Sequence, residues 1–208
     1  IMNAQREVVY KRRKNALDGK RLNIDIANMI YDTCDLIVTQ NKTSGDYKNF
    51  EYELIMFSSS SSPFSEEDFM AKSESELIDI LYETVFAHYK DKMTRNAERA
   101  FPVIKNVYER EGDRYERIVV PFSDGTKTLQ VVTNLKLAVE SEGRELMSDF
   151  EKNITLAIID ENWKTHLRKM DELKQSVQNA SYEQKDPLLI YKFEAFELFR
   201  AMLDGVNK

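Results

Sequence analysis

The sequence predicts a mainly α fold, an antiparallel two-helix finger plus a helical wing insertion that carries one β-hairpin. Three observations lead there. Apolar residues recur at helical spacing through most of the chain, above all from Asp149 to Val206. Four prolines and six glycines punctuate 208 residues, fewer than the turns of a sandwich or barrel require. The stretch Tyr115 to Thr133 breaks the helical pattern with β-branched and aromatic residues around Ser123-Asp124-Gly125-Thr126, a hairpin signal.

Taken in order, Asn3 to Leu17 reads as a helix that Asp18-Gly19 should stop, because glycine tolerates the left-handed turn after a helix. Arg6, Lys11, Arg12, Arg13 and Lys14 crowd this helix, and residues 1–21 hold seven basic and two acidic side chains. Two readings stay open: a patch for anionic lipid, nucleic acid or an acidic partner, or a solvated helix face. Tyr10 is the one aromatic residue among the bases, which argues against stacking on single-stranded RNA. Asn23 is expected to cap a second helix whose stripe is Ile24, Ala27, Ile30, Cys34 and Ile37. Cys34 on that stripe reads as a small core residue, with no base near it to make it a nucleophile.

Thr43 to Asp46 reads as a turn, Tyr47 to Phe57 as a short helix, and Ser58 to Pro63 as a low-complexity loop. Ser73-Glu74-Ser75-Glu76 is a capping box that opens a long helix with Leu77, Leu81, Val85, His88 and Lys92 on one face. Pro102 should kink or end that helix. A lone hairpin cannot stand in water, so the strands near 115–133 must lean on helices. Asn134 reads as a cap, and helix resumes with an interruption at Gly143.

The last third is the organising element. Leu156, Ile159, Trp163, Leu167, Met170, Leu173 and Val177 line one face of a first long helix, and Leu189, Phe193, Phe196, Phe199, Leu203 and Val206 line a second. Asp186-Pro187 starts the second helix, with Asp as N-cap and Pro where no amide is needed. The turn Ala180 to Lys185 is short, so the two helices must run antiparallel.

These residues also carry a family resemblance. The series Asp160, Trp163, His166-Leu167, Met170-Asp171, Leu173, Gln175, Tyr182, Gln184-Lys185-Asp186-Pro187, Tyr191-Lys192, Glu194 and Phe196 resembles the two-helix finger of the SecA family of preprotein-export ATPases. Asn3 to Tyr10 resembles the end of that family's long scaffold helix. The resemblance implies residues 1–20 as the end of the scaffold helix, 21–145 as a helical wing domain with the hairpin as an embellishment, and 146–208 as the finger. It also implies that Tyr182, with Gln184 and Lys185, meets preprotein or the SecY channel. Trp163, His166, Met170, Phe193 and Phe196 are then expected to pack the scaffold. Where many family members have Gly, an aliphatic residue and Arg before the tip tyrosine, this chain reads Ser176-Val177-Gln178-Asn179-Ala180-Ser181, so the arginine is missing.

Function classes narrow accordingly. No phosphate loop or dinucleotide fingerprint occurs, and His88 and His166 lie far apart without metal or nucleophile motifs. Cys34 is alone, which excludes an internal disulfide and a cysteine metal cluster and fits a reducing cytoplasm. The net charge is −6, and no run of ~20 apolar residues or signal-peptide pattern appears. Ile1-Met2 falls in mid-helix pattern, which reads as a piece of something longer.

The chain is therefore expected to catalyse nothing by itself and to need no cofactor. The resemblance places ATP and magnesium in absent motor domains and a zinc tail beyond Lys208. Its implied partners are the SecY channel complex, unfolded preprotein, its own motor domains and an anionic membrane surface. Its implied location is cytoplasmic, peripheral on the inner membrane. The competing reading is a stand-alone helical adaptor that homodimerises and binds acidic surfaces.

Overall fold

A computed structural model describes residues 1–19, 21–112, 114–179 and 186–207. The chain divides into two compact units, Ile1–Leu22 with Ile154–Lys208, and Asn23–Asn153.

In the Asn23–Asn153 unit, α2 (Leu22–Ser44) begins one residue before the expected cap. Asn23 is inside the helix, and the Leu22 amide instead donates to the Gly19 carbonyl. α3 (Tyr47–Ser58) starts where Asp46 accepts the Asn49 amide at 2.9 Å, satisfying one of the orphan donors of a helix start. A further helix, α4 (Glu66–Ala71), follows the serine-rich stretch and is capped by Ser65. Its six residues are too few to show a 3.6-residue period, so sequence reading passes over it.

α5 (Glu74–Glu111) opens on the capping box, in which Ser73 and Glu76 each satisfy the other's backbone amide. Of the two outcomes expected at Pro102, a kink or an end, the helix does not end there. Proline's fixed φ is itself helical and its cost is one lost hydrogen bond plus a clash with the preceding turn. Ala97 and Ile104, buried on either side of Pro102, hold the helix to one core across that defect.

Two apolar clusters stabilise this unit. Ile30, Cys34 and Val38 of α2, Phe50 and Leu54 of α3, Phe69 of α4, and Leu77, Leu81 and Val85 of α5 are buried together. Phe50 and Phe69 face each other at 4.6 Å between centroids, a separation that favours aromatic attraction. Burial pushes the Cys34 thiol up to about 12, so it is an inert core residue, as its place on the stripe indicates.

The second cluster lies under the hairpin of β1 (Arg117–Ser123) and β2 (Thr128–Asn134), antiparallel with Val120 opposite Val131. Ile118, Val120 and Phe122 alternate inward against Ala97, Ile104, Leu135 and Leu146, while Val119 and Val132 face solvent. The turn is closed by Asp124, whose carboxylate accepts the Thr126 and Lys127 amides at 2.8 and 2.7 Å. Those backbone donors hold its pKa down at about 2.

Asn134 then caps α6 (Leu135–Glu140), accepting the Leu137 amide. The interruption expected at Gly143 is real: φ is +86° there, and a Cβ would meet the Ala97 carbonyl oxygen at 2.7 Å, so only glycine lets the chain turn against α5. α7 (Arg144–Asn179) follows, and its residues to Asn153 belong to this unit. From them Glu151 takes a short hydrogen bond from the Tyr89 hydroxyl of α5. Burial pushes the Glu151 carboxyl up and the Tyr89 phenol higher still, which favours the protonated forms of both.

The other unit comprises α1 (Met2–Asp18), the rest of α7, and α8 (Pro187–Asn207). α8 starts as expected, with the Asp186 carboxylate accepting the Leu188 amide at 2.9 Å and Pro187 first in the helix. α7 and α8 are antiparallel, since Asn162 reaches the Gly205 carbonyl while His166, further along α7, packs on Phe199, earlier on α8. α1 runs alongside both and completes a three-helix unit.

Candidate functional site

The three-helix unit is joined by polar contacts set in an apolar seam. Gln5 of α1 is buried, donates from Nε2 to the Ala195 carbonyl of α8 at 3.0 Å, and turns its Oε1 to His166 Nε2 of α7 at 3.1 Å. Because the Gln5 amide nitrogen is committed to Ala195, its oxygen must accept, so His166 carries its proton on Nε2. His166 Nδ1 makes no hydrogen bond of normal geometry. Burial lowers the His166 pKa, the Leu198 backbone carbonyl pulls it partly back, and Lys169 lowers it further. The ring is thus neutral and enclosed, a structural clasp with no route to solvent chemistry.

Further along, Arg12 donates to Asn207 Oδ1 at 3.1 Å, and Arg13 forms a short ion pair with Asp160. These two members of the basic group thus tie α1 to α8 and α7. Arg6, Lys11 and Lys14 are exposed. At the opposite end, Met2, Met170, Val177, Leu188 and Tyr191 line a shallow groove of about 500 Å³.

The scaffold-packing residues divide. His166 and Met170 are buried. Trp163 is only half-buried, with its indole stacked on His166 at 5.4 Å. Phe193 and Phe196 are 64% and 62% exposed in this unit. The face of α8 that turns inward is Ala195, Met202 and Val206. The small Ala195 lets α1 approach closely enough for Gln5 to reach a helix carbonyl, and that rotation carries both phenylalanines outward. Tyr182, Gln184 and Lys185 lie outside the described residues.

Sequence reasoning did not pick out Gln5 or Asp160 as partners across the unit. A signal for Gln5 exists in retrospect, because it shares helical spacing with Val9 and Ala16, the buried residues of α1. A glutamine on an otherwise apolar stripe must meet a polar group inside.

Among the described residues no group of His, Cys, Asp and Glu is arranged to hold a metal ion, and no helix is long and apolar enough to cross a membrane. The family described as the SecA Wing and Scaffold domain matches residues 1–208. The chain belongs to that family. Among curated relatives it is 62% identical, over all 208 residues, to the protein translocase subunit SecA of Flavobacterium psychrophilum. It is 64% identical to that of Christiangramia forsetii and 44% identical to that of Porphyromonas gingivalis, again over its full length. In each case it spans 19% of the SecA relative. SecA wing and scaffold membership agrees with the family expected from the finger motif, and the mainly α fold with one hairpin is the fold expected with it.

Proposed function

We propose that this chain is the non-catalytic scaffold and wing part of a SecA protein-export motor, with residues 21–145 as the wing and 146–208 as the finger. The match of the family to every residue of the chain, beside 62% identity to a protein translocase subunit, carries this reading. The antiparallel α7–α8 pair is the finger, clasped at His166 and Gln5 to the scaffold helix α1, so that a push on its base reaches its tip. Long helices packed on each other transmit displacement because packed cores deform little.

Tyr182 at the tip meets the preprotein as it enters the SecY channel, aided by Gln184 and Lys185. A phenol suits that task, since its flat amphipathic ring presses on many side chains without demanding one sequence. ATP and magnesium act in the motor domains of the longer parent. Phe193 and Phe196, exposed here, are covered by those domains. Arg6, Lys11 and Lys14 face the anionic inner surface of the membrane, where the parent works as a peripheral cytoplasmic protein.

A photo-crosslinking residue at position 182 of the full-length motor tests this reading. During transport it should capture preprotein and SecY, and capture of neither would overturn the contact. The second reading, an adaptor that homodimerises, is favoured by the exposed stripe Leu189, Phe193 and Phe196. Light scattering on the 208-residue chain with and without Phe193→Ser and Phe196→Ser tests it, because the adaptor reading requires a dimer that these changes dissociate.

A further inference from the structure

The hairpin of the Asn23–Asn153 unit leaves a strand position empty. Its bonded register can be read from both ends: Leu135 donates to the Glu116 carbonyl at 2.9 Å, and Asp124 donates to that of Lys127. In an antiparallel pair, hydrogen-bonded residues alternate with residues whose backbone groups point away from the partner strand. Residues 116, 118, 120, 122 and 124 therefore bond to β2, and Arg117, Val119, Pro121 and Ser123 turn their main-chain groups to the open edge of β1. Among the described residues nothing receives the outward N–H and C=O of Val119.

The helix beneath extends past that edge. Ala100, Val103 and Val107 of α5 line a groove of about 590 Å³ together with Arg117 to Pro121, and Val103 and Val119 are 67% and 57% exposed. A two-stranded sheet is narrower than the apolar helix face it lies on. A third strand beside β1 would cover Val103 and Val107 with every second side chain and satisfy Val119 with its backbone.

We propose that this groove takes up an extended, uncharged polypeptide segment as a third strand on β1. Three features choose the occupant. The open donors and acceptors are main-chain groups at strand spacing, which a backbone complements and a folded helix does not. The floor is aliphatic, which asks for apolar side chains at alternate positions. Glu111 and Arg117 line the groove with one charge of each sign, so the complementary segment carries no net charge.

Pro121 limits the pairing. It has no N–H to offer at the edge, so the added strand is bonded fully around Arg117 and Val119 and through the carbonyl alone at Pro121. Short, backbone-directed pairing is weak and tolerant of sequence, and it is exchanged readily. Such a site suits transient contact with unfolded chain. It lies outside the finger, and it stands or falls separately from the role of Tyr182.

Fluorescence anisotropy on the 208-residue chain tests it, with a short fluorescein-labelled peptide of alternating valine and serine as the probe. Val119→Pro removes the central outward donor, which the hairpin itself does not use, and should weaken binding about tenfold, the worth of one lost hydrogen bond. Val103→Asp, on the helix side of the groove, should weaken it likewise. The same peptide N-methylated at every amide, which leaves no donor on either edge, should not bind. Amide exchange at Ile118 and Val120 verifies that the hairpin of each variant is intact. Peptide binding that both variants leave unchanged, or no binding to the wild-type chain, would overturn the proposal. Concentration-dependent protection of the Val119 amide without peptide would also overturn it, by assigning the edge to a second copy.

Discussion

Gln5 and His166 are far apart in sequence and share a buried hydrogen bond of 3.1 Å in the seam of the three-helix unit. Through its other amide atom Gln5 also bonds the Ala195 carbonyl, so a single side chain ties α1 to both α7 and α8. Gln5→Leu should cost about 1–3 kcal/mol, because the His166 N–H is then buried without a partner. Urea unfolding of the chain measures it, and an unchanged midpoint would show the clasp to be idle.

The same ring makes stability depend on pH. Burial lowers the His166 pKa in the folded chain. The unfolded histidine, with a pKa of about 6.5, therefore takes up protons that the folded one resists. Stability is fully present above about pH 6.5 and declines as pH falls below it toward the lowered folded value. Melting temperature measured from neutral to mildly acidic pH should fall for the wild type, and His166→Asn should remove that part of the fall.

Trp163 is half-buried, and its value follows from that. Full burial of an indole would put the cost of Trp163→Ala at about 3–5 kcal/mol. With part of its surface already in water, the loss should be about 1–2 kcal/mol, in proportion to the area it covers. Phe69→Ala, by contrast, empties the centre of the aromatic cluster with Phe50 and should cost the full amount, about 3–5 kcal/mol. Comparing the two by urea unfolding checks the ranking.

Phe193 and Phe196 behave as surface residues in the isolated chain. Replacing both by serine should move its stability by no more than about 0.5 kcal/mol each. The same double variant in the full-length parent should lower the melting temperature, because the proposed motor contacts cover the stripe there. Loss of stability in the isolated chain would mean that the aromatic rings are packed after all.

Much of this structure is legible in the sequence, and the failures have physical causes. The capping box at Ser73, the caps Asn134 and Asp186 and the break at Gly143 are local chemistry, and each is found where its residues stand. Pro102 does not end its helix because Ala97 and Ile104 on either side are held in one core, which offsets one missing bond. On α8 the periodicity is real, but which face turns inward is decided by Ala195 meeting Gln5, and a partner nearly the whole chain away is invisible to a local window. Arg12 and Arg13 look like solvated charge for the same reason, since their partners Asn207 and Asp160 lie near the far end.

In the proposed function the finger pushes preprotein with its aromatic tip while ATP is hydrolysed elsewhere in the parent. Preprotein transport and basal ATP hydrolysis measured side by side in full-length motor carrying Tyr182→Ala test it most directly. Transport should fall severely while basal hydrolysis stays close to wild type. Transport at the wild-type rate would contradict the claim.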